Sequence, residues 1–261
     1  GPDVGPEAGP ARMDAQIRVG GDAGASEVLV LRLHGALAGH ADSVVVPLLL
    51  PDAPTVAWWP GPAPAAPQDD PIGRMAQRRI TDSARCPDPI SSIVRRAEGH
   101  APGDTDLSWS RITRWRGLLA SALDLPPFDP VVSAQVTGAC DSPSAPLMAG
   151  WLGMRLGCEA RWLRTSPGTG LIGVRLSRPS GDVVLERPDG LTACLHQPGR
   201  PARSVAMPRR SDSDCLAEEL RRLDPDEVFS EVLARGLPLV PALTDLTDLP
   251  VPCTAPAEGE S

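Results

Sequence analysis

The string SPGTGLIG sets Gly168, Gly170 and Gly173 at the spacing G-x-G-x-x-G. In a dinucleotide-binding turn that spacing lets the backbone approach a pyrophosphate held at a helix N-terminus. The chemistry needs a helix to open within the motif. Here the last glycine runs into GVRLSRPSGD, a strand and hairpin, so the stretch reads as a flexible loop. GGDAG (20–24) likewise reads as an interstrand turn, and no G-x-S-x-G string offers a nucleophile elbow. His34, His40, His100 and His196 stand singly and read as scaffold or surface residues ahead of general bases. Asp69/Asp70 and Asp104/Asp106 are local carboxylate pairs. The second pair opens a helical stretch, where acids cap free N–H groups and favour the positive end of the dipole. No catalytic constellation emerges.

Two tryptophan-bearing stretches are stronger candidates. PTVAWWP places Trp58 and Trp59 at the end of a strand, against a Pro-rich loop. Neighbouring strand residues point to opposite faces, so one indole is expected in the core and the other at a partner. GDTDLSWSRITRWRGLLASALD (103–124) predicts a helix, with Trp109, Ile112, Trp115, Leu119 and Leu123 as its apolar stripe. Asp106 is its expected N-cap, and Arg111, Arg114 and Arg116 lie largely off the stripe. Tryptophan and arginine are enriched at interface hot spots, and arginine forks also suit phosphate. A core stripe with a solvated arginine face is the alternative. Trp58, Trp59, Asp104, Asp106, Trp109, Arg111 and Arg114 are therefore the candidate partner contacts.

Composition removes several classes. The chain has no lysine, so all 25 basic residues are arginine, and it has no asparagine and no tyrosine. Schiff-base chemistry, a Walker phosphate loop and a protein-kinase centre all need a lysine amine. A net charge of -8 without a basic block argues against nucleic-acid or anionic-membrane partners. No apolar run reaches the ~18–20 residues of a membrane span. The start GPDVGPEAGPAR has neither the basic nor the apolar region of a signal peptide. Cys86, Cys140, Cys158, Cys194, Cys215 and Cys253 are scattered, without metal-ligand spacing. They read as reduced cytoplasmic thiols, and no metal or cofactor is expected.

The elements that must position these residues follow from periodicity. Strands are expected at 14–19, 27–35 (mostly buried), 54–59, 78–83 and 131–136. Helices are expected at 39–50, around 73–79, and at 89–99, 103–124 and 146–157, the last closed by Gly157. LIGVRLS, DVVLER, LTACLH and RSVAMP form a meander, and DCLAEELRRL shows Leu216, Leu220 and Leu223 on one helical face. A last helix is expected from Asp224 as N-cap. The fold class is α/β, with a mixed sheet and βαβ units in the first half. The second subdomain has an antiparallel meander and C-terminal helices. The expected division is 1–13 disordered, 14–127 and 128–236 as two domains, and 237–261 as a disordered tail.

AQIRVGGDAGASEVLVLRLHG, the AWWP segment, GDTDLSWSRIT and SDSDCLAEELRRLDPDEVFSEVLA together resemble the actinobacterial OpcA family of glucose-6-phosphate dehydrogenase assembly proteins. The resemblance runs from about residue 14 to about residue 235. It implies a non-enzymatic, cytoplasmic partner that promotes assembly or activation of glucose-6-phosphate dehydrogenase. It also implies N-terminal residues of helix and strand character ahead of AQIRV, which this sequence lacks. A regulatory sensor for a sugar phosphate or dinucleotide is the second reading.

Overall fold

RMDAQIRV alternates polar and apolar side chains, the pattern of a strand with one apolar face. In the computed structural model, which describes residues 10–19 and 27–241, it forms β1 (Arg12–Val19). β1 pairs antiparallel with β2 (Glu27–His34). The turn expected at 20–24 lies outside the described residues. The register sets Met13 opposite Leu33, Ala15 opposite Leu31 and Ile17 opposite Leu29. Directly opposed residues share a face, so these six make one apolar surface. Arg12, Asp14, Gln16 and Arg18 lie on the other. The expectation that 27–35 is mostly buried is not met, because no residue of either strand is buried. The hairpin's main contact is the 3-10 turn Gly35–His40 that leads into α1 (Ala41–Val45), and among the described residues no layer covers its apolar side.

The first half holds a three-stranded parallel sheet in the order β3 (Val56–Trp58), β4 (Arg78–Thr81), β5 (Asp104–Asp106). A βαβ unit is present here, but it is β4–α2–β5, with α2 at Pro89–Glu98. The one expected between 27–35 and 54–59 does not form, since β2 pairs with β1 and not with β3. The helix expected around 73–79 reduces to a 3-10 turn at Gly73–Met75. Residues 78–81 join the central strand, and Gly73 packs where a Cβ would lie 1.7 Å from the Pro67 carbonyl oxygen.

The helix expected over 103–124 divides. Asp104–Asp106 pair with β4 as a strand, α3 spans Leu107–Ser110, and α4 spans Thr113–Leu123. Asp106 caps α3 as anticipated, accepting from the Ser108 amide at 2.9 Å.

The second half is a six-stranded sheet in the order β11-β10-β9-β8-β6-β7. β6 (Ser133–Ala139), α5 (Ser144–Leu156) and β7 (Glu159–Thr165) form a second βαβ unit. β7 was not anticipated. Its EARWLRT alternation is short, and α5 supplies the face it packs on. β8 (Leu171–Ser177), β9 (Val183–Glu186), β10 (Thr192–His196) and β11 (Arg203–Ala206) are the expected meander. Gly157, at φ 63°, ends α5 in the left-handed conformation that favours glycine.

α6 (Asp212–Glu219) opens with a capping box of Ser211 and Asp214. It buries Cys215 and Glu219; of the expected leucine face, Leu216 packs against Ile80, Leu107 and Cys215 and Leu223 is half-buried, while Leu220 stays 47% exposed. α7 (Glu227–Glu231) is capped by Asp226, and not by Asp224. Leu237 and Val240, placed in the expected disordered tail, are buried in the core. Arg12 and Met13, placed in the disordered start, belong to β1.

The main core joins Ile93, Trp109, Trp115 and Leu119 to α5, the six-stranded sheet and Phe229. α4 thus precedes the division expected at 127/128 yet packs with the elements that follow it. A smaller cluster of Ile80, Leu107 and Cys215 ties β4 to α6. Among the described residues no helix is long and apolar enough to cross a membrane. Cys140 is disulfide-bonded, which overturns the reading of all six thiols as reduced.

Candidate functional site

The structure separates the candidate contacts into three groups. The first is structural. Trp109 is 1% exposed. Its Nε1 donates to Asp226 at 2.8 Å, and the Arg116 guanidinium lies 3.6 Å from its ring centre. Asp104 is buried, accepting from Arg79 Nε and from the Ala101 amide at 2.8 Å. Asp106 is buried as well, and its Oδ2 accepts from Thr81 Oγ1, the Ser83 amide and Ser83 Oγ at 2.7–2.9 Å. No partner reaches these three without opening the fold. The sequence pattern pointed there because a Trp/Arg/Asp cluster looks alike whether it faces a partner or its own chain.

The second group is a charge network. Arg111 forks onto both Asp82 oxygens at 2.7 Å and onto Asp212 at 2.7 Å. Burial opposes its charge, but these bonds prevail and hold the guanidinium protonated. Arg85 completes the set with a 2.6 Å bond to Asp212. Deeper, Arg78 and Glu219 form a buried pair, with Ser110 Oγ donating to the second Glu219 oxygen and Arg78 Nη1 donating to the Asp224 carbonyl at 2.7 Å. These ties pin α6 to the parallel sheet. Burial lowers the Arg116 pKa to about 10, against the pull of Asp226, Glu218 and Glu219.

The third group is on the surface. Trp58 is 42% exposed, Trp59 is half-buried with its amide on the Ile80 carbonyl at 2.9 Å, and Arg114 is exposed. Next to them in sequence lies a larger apolar surface. The hairpin leaves Ile17 66%, Val19 69%, Met13 47% and Leu29 43% exposed, and Val46, Leu48 and Leu50 extend the exposure past α1. Soluble monomers rarely expose contiguous apolar area on this scale without a partner for it. Sequence reasoning missed this face by assigning 27–35 to the interior. The alternation in β1 was the signal that one side needs a cover.

A cavity of about 260 Å³ opens at the carboxyl end of β6, where Asp141, Ser142 and the first turn of α5 meet the β7–β8 loop. Open α/β sheets place their crevices at such ends. Arg111, Arg187, Arg209 and Arg210 line it, with Trp115, Gly168 and Gly170. Gly168 and Gly170 belong to the G-x-G-x-x-G string and have φ of 79° and 66°. As expected, they sit in a loop and not at a helix start. The arginines were not foreseen because they come from separate segments and share no local motif. Among the described residues no group of three or more His, Cys, Asp or Glu side chains is placed to hold a metal.

Two solved structures of KijD10, a 3-ketoreductase from Actinomadura kijaniata, show distant likeness. The open form with TDP-benzene and NADP matches at 13% identity over 80% of each chain, with a TM-score of 0.44. The complex with NADP matches at 12% identity over 76% of this chain and 79% of that one, with a TM-score of 0.42. No curated protein matches the chain. Residues 4–98 match the N-terminal domain, and residues 102–233 the C-terminal domain, of the glucose-6-phosphate dehydrogenase subunit. With both domain models matched in order along nearly the whole described chain, the protein belongs to the OpcA family of glucose-6-phosphate dehydrogenase assembly subunits.

Proposed function

We propose that this chain is a non-enzymatic, cytoplasmic partner that docks on glucose-6-phosphate dehydrogenase through its N-terminal apolar face and favours the assembled, active enzyme. The observation that carries the reading is the amphipathic hairpin. Its apolar side is built by strict alternation in β1 and matched by β2, yet no layer of the described residues covers it. A two-stranded hairpin alone is marginal in water. A partner surface laid over Met13, Ile17, Leu29 and Leu33 supplies the missing layer, and Trp58 adds an exposed aromatic anchor. The N-terminal family match spans all of these residues.

A partner shifts an enzyme's equilibrium only as far as its affinities for the two states differ. Preferential binding to the assembled dehydrogenase is therefore the mechanism. The net charge of -8 and the absence of a basic block favour a protein partner over nucleic acid. The test is a binding and activation titration of the cognate dehydrogenase with the full chain. Saturable complex formation with a rise in dehydrogenase activity is expected. Absence of a complex, or turnover by this chain alone, overturns the reading.

A further inference from the structure

Arg187 lies just past β9, is 7% exposed and lines the cavity beside α5. Its Nη1 and Nη2 donate to the carbonyls of Met207 at 3.0 Å and Leu171 at 3.3 Å, both neutral acceptors. Its Nε is buried without a hydrogen-bond partner. Among the described residues no carboxylate forms an ion pair with it, although a buried charge normally requires one. Arg209, an exposed residue, lines the same cavity; among the described residues it forms no ion pair with an acid, and its guanidinium bonds the Gly168 and Thr169 carbonyls.

The other two arginines are already neutralised, Arg111 by Asp82 and Asp212, and Arg210 by Glu218. Asp141 is the acid in the lining, and both its oxygens accept from the Gly168 amide at 3.0 Å, which fixes the loop. Arg187 and Arg209 thus outweigh it and leave the cavity cationic. The thirteen-residue α5 begins at its edge with Pro143 at the N-cap and no side-chain cap; Pro146 has no N–H and the Ala145 and Leu147 amides bond the Ser142 and Pro143 carbonyls, which leaves the Ser144 amide as the first-turn donor beside the space. Burial, and next the proximity of Arg209, push the Arg187 pKa down, while Asp189 opposes the shift from a distance without forming an ion pair.

We propose that this cavity binds the phosphate group of a small phosphate monoester, with Arg187 and Arg209 as the charged contacts and the Ser142 hydroxyl and Ser144 amide as neutral donors. Two arginines and a helix N-terminus match the charge and the acceptor-rich oxygens of a phosphate dianion. A volume of about 260 Å³ falls below the ~300–1,000 Å³ of drug-sized ligand sites, so it suits a phosphate with a small attached group and not a dinucleotide. The site is separate from the apolar docking face, and the inference stands whether or not the dehydrogenase is the partner.

The test uses the full chain without dehydrogenase, so its failure is distinct from failure of the assembly reading. Calorimetric titrations with inorganic phosphate, glucose 6-phosphate and glucose are run at constant ionic strength. Fluorescence of Trp115, whose ring lies 5.1 Å from the Arg187 guanidinium, provides a second readout. Both phosphates are expected to bind and glucose is not. Arg209→Ala should weaken binding about tenfold or more, and Arg114→Ala, exposed on α4, should leave it unchanged. Arg187→Gln should abolish it. If that buried variant does not fold, Arg209→Ala decides alone. Absence of saturable binding by either phosphate, or an Arg209→Ala variant with unchanged affinity, overturns the proposal.

Discussion

Ile17 and Leu29 face each other across the hairpin and stand 66% and 43% exposed. Replacing both with serine removes apolar surface that the other described residues leave exposed. Fully burying one such side chain is worth ~1.5–3 kcal/mol, so covering the exposed fractions of the pair contributes ~2 kcal/mol to docking. That corresponds to a loss of roughly thirtyfold in affinity for glucose-6-phosphate dehydrogenase. By the same measure the parts of the two side chains already covered within the chain, about a third of Ile17 and over half of Leu29, are worth ~2 kcal/mol, so the change should also lower the stability of the isolated chain by about that much. The matched control is Arg18→Ser/Val28→Ser, a cross-strand pair on the opposite face. It should leave affinity within about twofold, a difference of ~0.4 kcal/mol. Fluorescence anisotropy of labelled chain titrated with dehydrogenase gives the dissociation constants, and far-ultraviolet circular dichroism confirms that the hairpin persists. Equal affinity for wild type and Ile17→Ser/Leu29→Ser would refute the apolar-face assignment. So would an equal loss in the control.

Three further outcomes follow from the interior. Trp109→Ala should destabilise the chain by ~3–5 kcal/mol in urea unfolding, since the indole is fully buried, while Trp109→Phe should lose ~1 kcal/mol through the bond to Asp226. Small effects from both would return Trp109 to the surface. Glu219→Ala strands the buried Arg78 charge and should cost ~3–5 kcal/mol, whereas the double replacement Arg78→Met/Glu219→Leu should recover most of it. No recovery in the double variant would contradict the charge-stranding argument. His100 is half-buried against Phe229, with its ring nitrogen 2.7 Å from Ser230 Oγ, and burial lowers its pKa, followed by opposing effects of Asp104 and Arg79. A depressed folded pKa means that the neutral ring contributes stability above the unfolded value of about 6.5, and that this is lost as pH falls through the folded value. Urea midpoints should drop between about pH 7.5 and about pH 5.5, and His100→Gln should flatten that slope. An unchanged slope counts against it.

Local patterns in the sequence were enough to specify the elements with strong periodicity or explicit stop signals. The β1 alternation, the meander with its Gly/Pro turns, α2 after Asp88-Pro89, and the Gly157 stop of α5 are legible because each depends on neighbours within a few residues. The Asp106 cap belongs to the same class. The family was also legible, since its long motifs lie unbroken in the chain.

Tertiary structure decided whatever depends on residues distant in sequence. Asp104–Asp106 became a strand because β4 offered an unpaired edge, although the same residues read as a helix start. Trp109 and Trp58 share a residue type, but Asp226 and Phe229 enclose one while the other stays at an open strand end. β2 stayed outside because its apolar side meets no layer among the described residues. Arg187 and Arg209 come from different loops and face one cavity only after β6, α5 and the meander are packed. Periodicity records which side of an element is apolar. Only packing decides what lies against that side, because burial is a property of the assembled surfaces and not of the segment.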